Sequence, residues 1–263
     1  MKKIRKAIPF LLLLPALLAC QLLSPTPAAP APIPLETEIE DAKGVTMRLV
    51  PAGEFIMGSD DEQAGDAQPA HTVTLPDFYM DVYEVTRARY QECFSAGACS
   101  DSINVPSLES YFESPNLPMS SLNWEQAKTY CEWRGARLPS EAEWEKAARG
   151  TNGRTYPWGE VFDEEHVQLS GGPHEVGIYE LGKSPYGMYD MSGNVWEWTS
   201  DAPVPYPGYQ GDQGHFRETD RVLRGGSWEA PDPAALSTWF RFFSFEGDNA
   251  GYVGFRCARE VTP

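Results

Sequence analysis

Basic residues are scarce in this sequence. Lys and Arg together number 21 against 38 Asp and Glu, so the formal net charge at pH 7 is -17. A surface of this charge repels phosphate backbones and anionic lipids. The composition therefore excludes nucleic acid as a partner and excludes adhesion to a membrane through a basic patch, although acidity by itself names no ligand.

Motifs of several enzyme classes are also missing. The sequence has no dinucleotide-binding glycine motif and no serine nucleophile with its base, and residues 224–227 (RGGS) lack the spacing and the lysine of a phosphate-binding loop. The histidines show neither i, i+4 spacing nor a carboxylate partner pattern, which argues against a metal site. They are His71, His166, His174 and His215. His71, in the alternating segment HTVTL, is expected to be a structural residue of a strand.

The N-terminus has the pattern of an export signal. Four cationic residues precede an apolar run over 8–18 that is too short to span a bilayer. Residues 17–20 (LLAC) match a bacterial lipobox, so we expect 1–19 to be a signal peptide and Cys20 to become a lipidated N-terminus. A plain secretory signal with a chance cysteine is the alternative.

A proline-rich segment follows the lipobox. Within 20–37, prolines at 25, 27, 30, 32 and 34 predict a semi-extended tether. From 38 to 263 no second low-complexity break occurs, and all eight tryptophans fall there, which predicts one large domain. We therefore expect an exported domain that is anchored to a membrane through lipidated Cys20.

Three segments carry helix start and stop signals. Thr86 precedes RARYQECFSAG, and Asn123 precedes WEQAKTYCEWR with Gln126 at the third helical position. Ser140 and Glu143 form a capping box before EAEWEKAAR. The glycines expected to end these helices are Gly97, Gly135 and Gly150.

The acidic residues of the third helix, Glu141, Glu143 and Glu145, are expected to serve the cap, the helix dipole and solvent rather than acid–base chemistry. Apolar runs at 45–50 and 54–58, separated by Pro-Ala-Gly, predict a hairpin. After residue 150 glycine, proline and aromatic residues alternate irregularly. The sequence thus predicts an α+β fold with few helices, short antiparallel strands and much irregular structure.

Seven blocks of this sequence resemble the formylglycine-generating enzyme (sulfatase-modifying factor) family. They are PAGEFIMGS at 51–59, HTVTLPDFYMDVYEVT at 71–86, NWEQAKTYCEWRGARLPSEAEWEKAARG at 123–150, YPWG at 156–159, SPYGMYDMSGNVWEW at 184–198, RGGSW at 224–228 and GFRC at 254–257. Each block is weakly specific, but together and in this order they span nearly the whole domain. The resemblance implies a C-type-lectin-like fold and raises the possibility that a sulfatase cysteine is oxidised to formylglycine.

The resemblance also locates the family's copper-binding cysteines. In active members two thiolates shortly after the GGS block hold Cu(I), a soft ion that prefers sulfur. Here the first of these positions is Ala230 and the second falls on or near Ala235. Since no cysteine occurs between Cys131 and Cys257, no copper is expected.

The remaining cysteines form an even set once Cys20 is lipidated. Exported thiols tend to oxidise, so two disulfides are expected among Cys93, Cys99, Cys131 and Cys257. The sequence alone leaves three pairings open, although the close spacing of the first two suggests that they pair. The resemblance implies a bridge between the second two, because the family often joins its YCxW and GFRC blocks.

A structural calcium site is a further implication of the resemblance. Carried over, its ligands are the side chains of Asp190 and Glu197 and the carbonyl oxygens of Gly193 and Val195. Ca²⁺ takes six to eight oxygens, so water or neighbouring groups would complete the shell. The alternative is that Asp190 caps a turn and Glu197 pairs with an arginine.

Two functions remain open after these observations. The first is a binding or accessory module whose groove holds a peptide or small ligand. The groove candidates are Trp196, Ser227, Trp228, Trp239 and Arg241. The second is a divergent oxidoreductase, since relatives without the cysteine pair are proposed to act in oxidative tailoring or with non-haem iron. The iron-dependent relatives take histidine ligands from an extra helical domain, which this sequence does not show.

Overall fold

The computed structural model describes residues 36–100, 114–167, 169–230 and 232–261. In these ranges no helix combines the length and the apolar character that a membrane crossing requires. The predicted signal peptide at 1–19, the lipidation site Cys20 and nearly all of the tether at 20–37 lie outside the described residues, so they stay predictions.

The three helices of the described ranges lie where the capping signals predict them. They are α1 Arg87–Ser95, α2 Trp124–Trp133 and α3 Glu141–Arg149. The side chain of Thr86 accepts a hydrogen bond from the first turn of α1. Asn123 and Ser140 each form a capping box with the residue three positions on, so both are confirmed as N-caps.

Ten short strands form three sheets in the described ranges. They are β1 Glu38–Glu40, β2 Thr46–Val50, β3 Gly53–Met57, β4 His71–Leu75, β5 Phe78–Asp81, β6 Trp196–Trp198, β7 Asp220–Arg224, β8 Phe242–Phe245, β9 Val253–Gly254 and β10 Ala258–Glu260. The sheet orders are β1-β2-β5-β10, β3-β4 and β8-β7-β6-β9. Pairing is antiparallel except between β6 and β9. The prediction of an α+β fold with short antiparallel strands is confirmed.

The predicted hairpin across residues 51–53 is wrong. β2 pairs with β1 and β5, whereas β3 pairs with β4 in another sheet. The amide of Ala52 donates to Asp77 at 2.6 Å, and Nζ of Lys146 binds the carbonyl oxygens on either side of Ala52 at 2.7 and 2.9 Å. These long-range contacts satisfy the backbone at the corner, so the chain can pass from one sheet to the next.

None of the three α3 carboxylates reaches solvent as predicted, and two of them pair with arginines of distant segments. Glu141 is 5% exposed and Glu145 is 0% exposed. Glu141 accepts two hydrogen bonds from Arg241 at 2.6 and 2.8 Å, and Glu145 binds Arg224 at 2.5 Å and Arg149 at 2.7 Å. The buried charge of each carboxylate is thus offset by a guanidinium from a distant segment.

Glu143 serves the cap as predicted, and it also binds Arg137. Both carboxylate oxygens of Glu143 accept from Arg137 at 2.7 Å. Burial alone would raise the pKa of Glu143, but the hydrogen bonds and charge of Arg137 outweigh burial and hold that pKa below its ordinary value.

Buried arginines also bind the carbonyl oxygens of the irregular segments. Besides its bond to Glu145, Arg224 donates to the carbonyl oxygens of Thr238, Trp239 and Phe240 at 2.6, 3.0 and 2.9 Å. Because a buried carbonyl outside a helix or sheet still needs a donor, these contacts stabilise loop backbone that has no ladder partner.

Both expected disulfides are present. Cys93 is bonded to Cys99, and Cys131 is bonded to Cys257, with sequence separations of 6 and 126 residues. The longer bridge joins α2 to the segment between β9 and β10 inside the largest hydrophobic cluster.

The two bridges should differ in their contribution to stability. Replacing Cys131 and Cys257 together by alanine should lower the free energy of unfolding by about 4 to 5 kcal/mol, because the bridge closes a long loop in the unfolded chain. The matched double replacement of Cys93 and Cys99 should cost only about 2 kcal/mol. Urea unfolding of both variants measures the difference, and equal losses would contradict the loop-entropy explanation.

Candidate functional site

A cavity of about 180 Å³ lies on one face of the sheet formed by β8, β7, β6 and β9. Its walls come from the start of β6, the segment after β7, the start of β8 and the residue before β9. The lining residues are Trp196, Ser227, Glu229, Ala230, Ala235, Phe242 and Tyr252. We call this space the alanine cavity, because Ala230 and Ala235 are among the residues that line it.

The alanine cavity contains two of the five predicted groove residues. Trp196 and Ser227 line it together with Ala230 and Ala235, the positions to which the resemblance assigns the family's copper-binding cysteines. Trp196 is 8% exposed, and its ring centroid lies 5.4 Å from that of Phe242. The structure therefore brings two of the five predicted groove residues and both alanines into one cavity.

Trp239 and Arg241 do not line this cavity, so their assignment to the groove needs correction. Successive residues of an extended chain point to opposite faces of a sheet. Phe242 faces the cavity, and Arg241, one residue earlier, is buried on the opposite face against Glu141. Trp239 packs beside Phe55 in a separate hydrophobic cluster.

Trp228 also lies outside the lining. It is half-buried, and its amide donates to the carbonyl oxygen of Asn194 at 3.0 Å. Sequence reasoning missed three residues that do line the cavity: Glu229, Phe242 and Tyr252. The alternation around Arg241 could have indicated Phe242, but nothing in the sequence signals Glu229 or Tyr252.

The backbone of the cavity wall is shaped by Gly226. Its φ is 76°, and a Cβ at this position would lie 2.6 Å from the side chain of Leu236 and 2.8 Å from the carbonyl oxygen of Ala235. Only glycine allows the 3₁₀ turn Pro233–Leu236 to pack so closely against this segment. The amide of Ala230 donates to the carbonyl oxygen of Ser227 at 2.9 Å, which closes a turn in the same wall.

The predicted calcium ligands lie in a second region, behind β6. Glu197 is 0% exposed, and its two carboxylate oxygens each accept from Arg256 at 2.7 Å. Trp144 Nε1 donates to the same carboxylate at 2.8 Å. Asp190 has a positive φ of 56°, and its Oδ2 accepts from the amide of Gly177 at 2.6 Å. Both contacts that the alternative interpretation expects are thus present: Asp190 accepts a hydrogen bond from a turn, and Glu197 pairs with an arginine.

A third buried carboxylate, Glu84, lies beside these two and was not predicted. It is 2% exposed, and it accepts from Asn194 Nδ2 at 2.5 Å and from the amide of Val195 at 3.2 Å. Burial raises the pKa of Glu84 well above its ordinary value, and the charges of Asp190 and Glu197 add to the effect. Spacing gave no hint of Glu84, because it lies a hundred residues earlier in the chain.

Backbone oxygens complete this region. The carbonyl oxygens of Gly193 and Val195, both buried, accept no hydrogen bond from the described residues. Within the same ranges no group of three or more His, Cys, Asp or Glu side chains is arranged to hold a metal ion. A cation here would therefore depend on carbonyl oxygens as well as carboxylates.

The raised pKa of Glu84 predicts a pH-dependent stability. A carboxyl whose pKa is higher in the folded than in the unfolded state stabilises the fold at low pH and loses that contribution as pH rises through the folded value. In the presence of a chelator, Glu84→Gln should therefore be more stable than the parent at pH 7.5 and nearly equal to it at pH 4. Urea midpoints at both pH values measure this, with the exposed Glu62→Gln as the control. A variant that is less stable at pH 7.5 would refute the prediction.

Comparison with known proteins agrees with this fold. The chain belongs to the sulfatase-modifying factor family: the model of the Sulfatase-modifying factor enzyme 1-like domain matches residues 35–261. The mouse (Mus musculus) protein named Inactive C-alpha-formylglycine-generating enzyme 2 is 30% identical, over 84% of this chain and 88% of that protein. The Hercynine oxygenase of Mycolicibacterium smegmatis is 31% identical, over 87% of this chain and 64% of that protein.

Solved structures place the chain in the same fold. PvdO from Pseudomonas aeruginosa superposes with a TM-score of 0.70 at 27% identity, covering 86% of this chain and 98% of that one. The formylglycine-generating-enzyme-like fold is thus established for this chain.

Proposed function

We propose that this chain is an exported, lipid-anchored member of the family that binds a peptide or small ligand in the alanine cavity without copper-dependent oxidation of cysteine. The observation that carries the proposal is the lining of that cavity, where Ala230 and Ala235 stand at the positions to which the resemblance assigns the thiolate ligands. Methyl groups offer Cu(I) no electron pair.

The other cysteines cannot replace the missing pair. Those in the described ranges are all bound in the two disulfides, so none supplies a thiolate. The remaining one, Cys20, is the proposed lipidation site at the other end of the tether. The name of the mouse relative, an inactive formylglycine-generating enzyme, supports the same interpretation.

Copper binding tests the proposal directly. The parent chain should leave Cu(I) with a chromogenic chelator and should leave a sulfatase-type cysteine peptide unchanged, whereas the double variant Ala230→Cys, Ala235→Cys should withdraw Cu(I) from the chelator. Chelator absorbance and mass spectrometry of the peptide measure these outcomes under mild reductant. Thiol-to-aldehyde conversion of the peptide by the parent chain would overturn the proposal.

A divergent oxidoreductase is the second candidate. The similarity to the Hercynine oxygenase of Mycolicibacterium smegmatis favours it. None of the four histidines lines the alanine cavity, so a metal there would need other ligands. Oxygen consumption by the parent chain with a reductant and iron or copper would favour this candidate over simple binding.

We also propose a structural calcium ion behind β6, held by Asp190, Glu197 and the carbonyl oxygens of Gly193 and Val195. The donors fit a hard cation: the two carbonyls accept no hydrogen bond from the described residues, and Asp190 Oδ1 has no donor there either. Three buried carboxylates, with Glu84 included, face one guanidinium, so a divalent cation would balance the charge. Glu197 would share its carboxylate with Arg256.

Calcium removal should then lower the melting temperature. At a calcium concentration about 100-fold above its Kd, the ion should raise Tm by roughly 5 to 10 °C over the chelated state. The variant Asp190→Asn should lose most of this shift, whereas Glu62→Gln should keep it. Differential scanning calorimetry measures the shift, and a Tm that does not respond to chelator would count against calcium.

Attachment to a membrane through Cys20 is the remaining part of the proposal. The lipobox pattern at 17–20 supports it. When the full precursor is expressed in a bacterium, the parent should sediment with membranes, whereas Cys20→Ser should shift to the soluble fraction. Ser24→Ala is the control and should remain with the membranes. Carbonate-resistant membrane association of Cys20→Ser would show that another anchor exists.

A further inference from the structure

The alanine cavity has one charged wall. Glu229 is exposed at its mouth, and its carboxylate has no hydrogen-bond or ion-pair partner among the described residues. Ser227 Oγ accepts the amide of Glu229 at 3.2 Å, which fixes the backbone from which this carboxylate extends. The buried carboxylates near the same sheet are different, because Glu141, Glu145 and Glu197 are each paired with an arginine.

Aromatic rings make up much of the remaining wall. Trp196 and Phe242 are in ring contact, and Tyr252 completes the lining on the side of β9. The faces of such rings attract cations, and the attraction is strongest where water is excluded. A free carboxylate beside aromatic rings therefore favours a ligand that carries a positive charge on an apolar stem.

The size of the cavity limits the ligand to about one long side chain. Its volume of about 180 Å³ is below the roughly 300 to 1,000 Å³ of pockets that enclose a drug-sized molecule. The methyl groups of Ala230 and Ala235, with the ring of Trp196, offer an apolar surface to a methylene chain. A primary ammonium at its end could donate hydrogen bonds to Glu229, because an ammonium group carries three donors.

A place for a peptide main chain lies beside the cavity. β8 is the last strand of its sheet, and no described strand pairs with its outer edge. The amide of Glu246 donates to Thr219 O at 3.1 Å. Because hydrogen-bonded and non-hydrogen-bonded pairs alternate in an antiparallel ladder, the main-chain groups of Phe243 and Phe245 point away from β7. The carbonyl oxygen of Phe245 already accepts from the amide of Asp248 at 2.8 Å, so Phe243 is the residue that a peptide strand can pair with. Phe245, the last residue of β8, is 58% exposed. Natural edge strands are usually short, charged or covered, so an exposed aromatic residue at this edge is unusual.

We propose that the alanine cavity binds the side chain of a lysine in an extended peptide that adds to the outer edge of β8. The lysine stem lies against Ala230, Ala235 and Trp196, and the ammonium lies between Glu229 and the aromatic rings. The main chain of a residue next to the lysine pairs with Phe243, so the lysine side chain lies on the same face as Phe242. This inference rests on the proposed binding function and names its ligand class.

Two peptides that differ only in charge test the inference. The acetylated and amidated sequence Gly-Thr-Lys-Thr-Gly and its norleucine counterpart have the same stem, so only the first carries an ammonium group. Titrated into the purified full-length protein, the lysine peptide should bind at least tenfold more tightly, and 0.5 M salt should reduce that difference. Fluorescence anisotropy of labelled peptides measures both affinities.

Variants separate the contributions of charge and ring. Glu229→Gln and Phe242→Leu should each weaken lysine-peptide binding by tenfold or more, whereas the exposed control Glu62→Gln should not. Both altered residues are exposed, so the fold should persist, which circular dichroism checks. A lysine peptide that is N-methylated on either side of the lysine should bind poorly, because it cannot form a strand ladder.

The outcomes distinguish this inference from the function on which it rests. Equal binding of the lysine and norleucine peptides, or binding unaffected by Glu229→Gln, would overturn the lysine site and leave a peptide-binding module. Full affinity of the N-methylated peptide would overturn strand addition at β8. Failure to bind the lysine peptide overturns the inference, and failure to bind a mixed-sequence peptide pool as well would count against the proposed peptide-binding function.

Discussion

The fold depends on buried guanidinium groups that are paired with carboxylates and at the same time bind carbonyl oxygens of irregular segments. Arg224 joins Glu145 to the segment before β8, and Arg256 joins Glu197 to the carbonyl oxygens of Val82 and Tyr189. A chain with three short helices in its described ranges must satisfy much buried backbone without ladders. Paired arginines provide the donors, and the carboxylates remove the cost of burying an unpaired charge.

These ion pairs also determine which face of the third sheet can hold a ligand. Glu197 and Arg224 are opposite each other in the register of β6 and β7, and both point toward α3. The neighbouring residue Trp196 must then point to the other face, as must Phe242 after Arg241. One face is filled by buried charge, and the other carries Trp198 and Leu223 of the largest hydrophobic cluster with the alanine cavity beside them. The stability of the sheet and the walls of the alanine cavity therefore come from the same alternation.

Local features were predictable from the sequence, and long-range ones were not. The N-caps Thr86, Asn123 and Ser140 were identified correctly because a cap depends on residues within one turn. The hairpin failed because the corner after β2 is held by Lys146, almost a hundred residues away. The burial of Glu141 was missed for the same reason, since its partner lies 100 residues further along the chain. In the cavity, the resemblance located Trp196 and Ser227, whereas Trp239 and Arg241 were misplaced because the facing of strand β8 was unknown.

Main-chain packing at Gly226 fixes the shape of the cavity, whereas the chemistry of the cavity depends on the side chains at positions 230 and 235. The wall that contains Ala230 and Ala235 is held by main-chain bonds and by the packing of Leu236 against a residue without a side chain. Neither alanine methyl takes part in those bonds. Both side chains are half-buried against neighbouring hydrophobic clusters, whereas the main chain that carries them is fixed by other residues. The backbone of this wall therefore does not depend on which side chains stand at positions 230 and 235. A change of activity in this family need not be accompanied by a change of architecture.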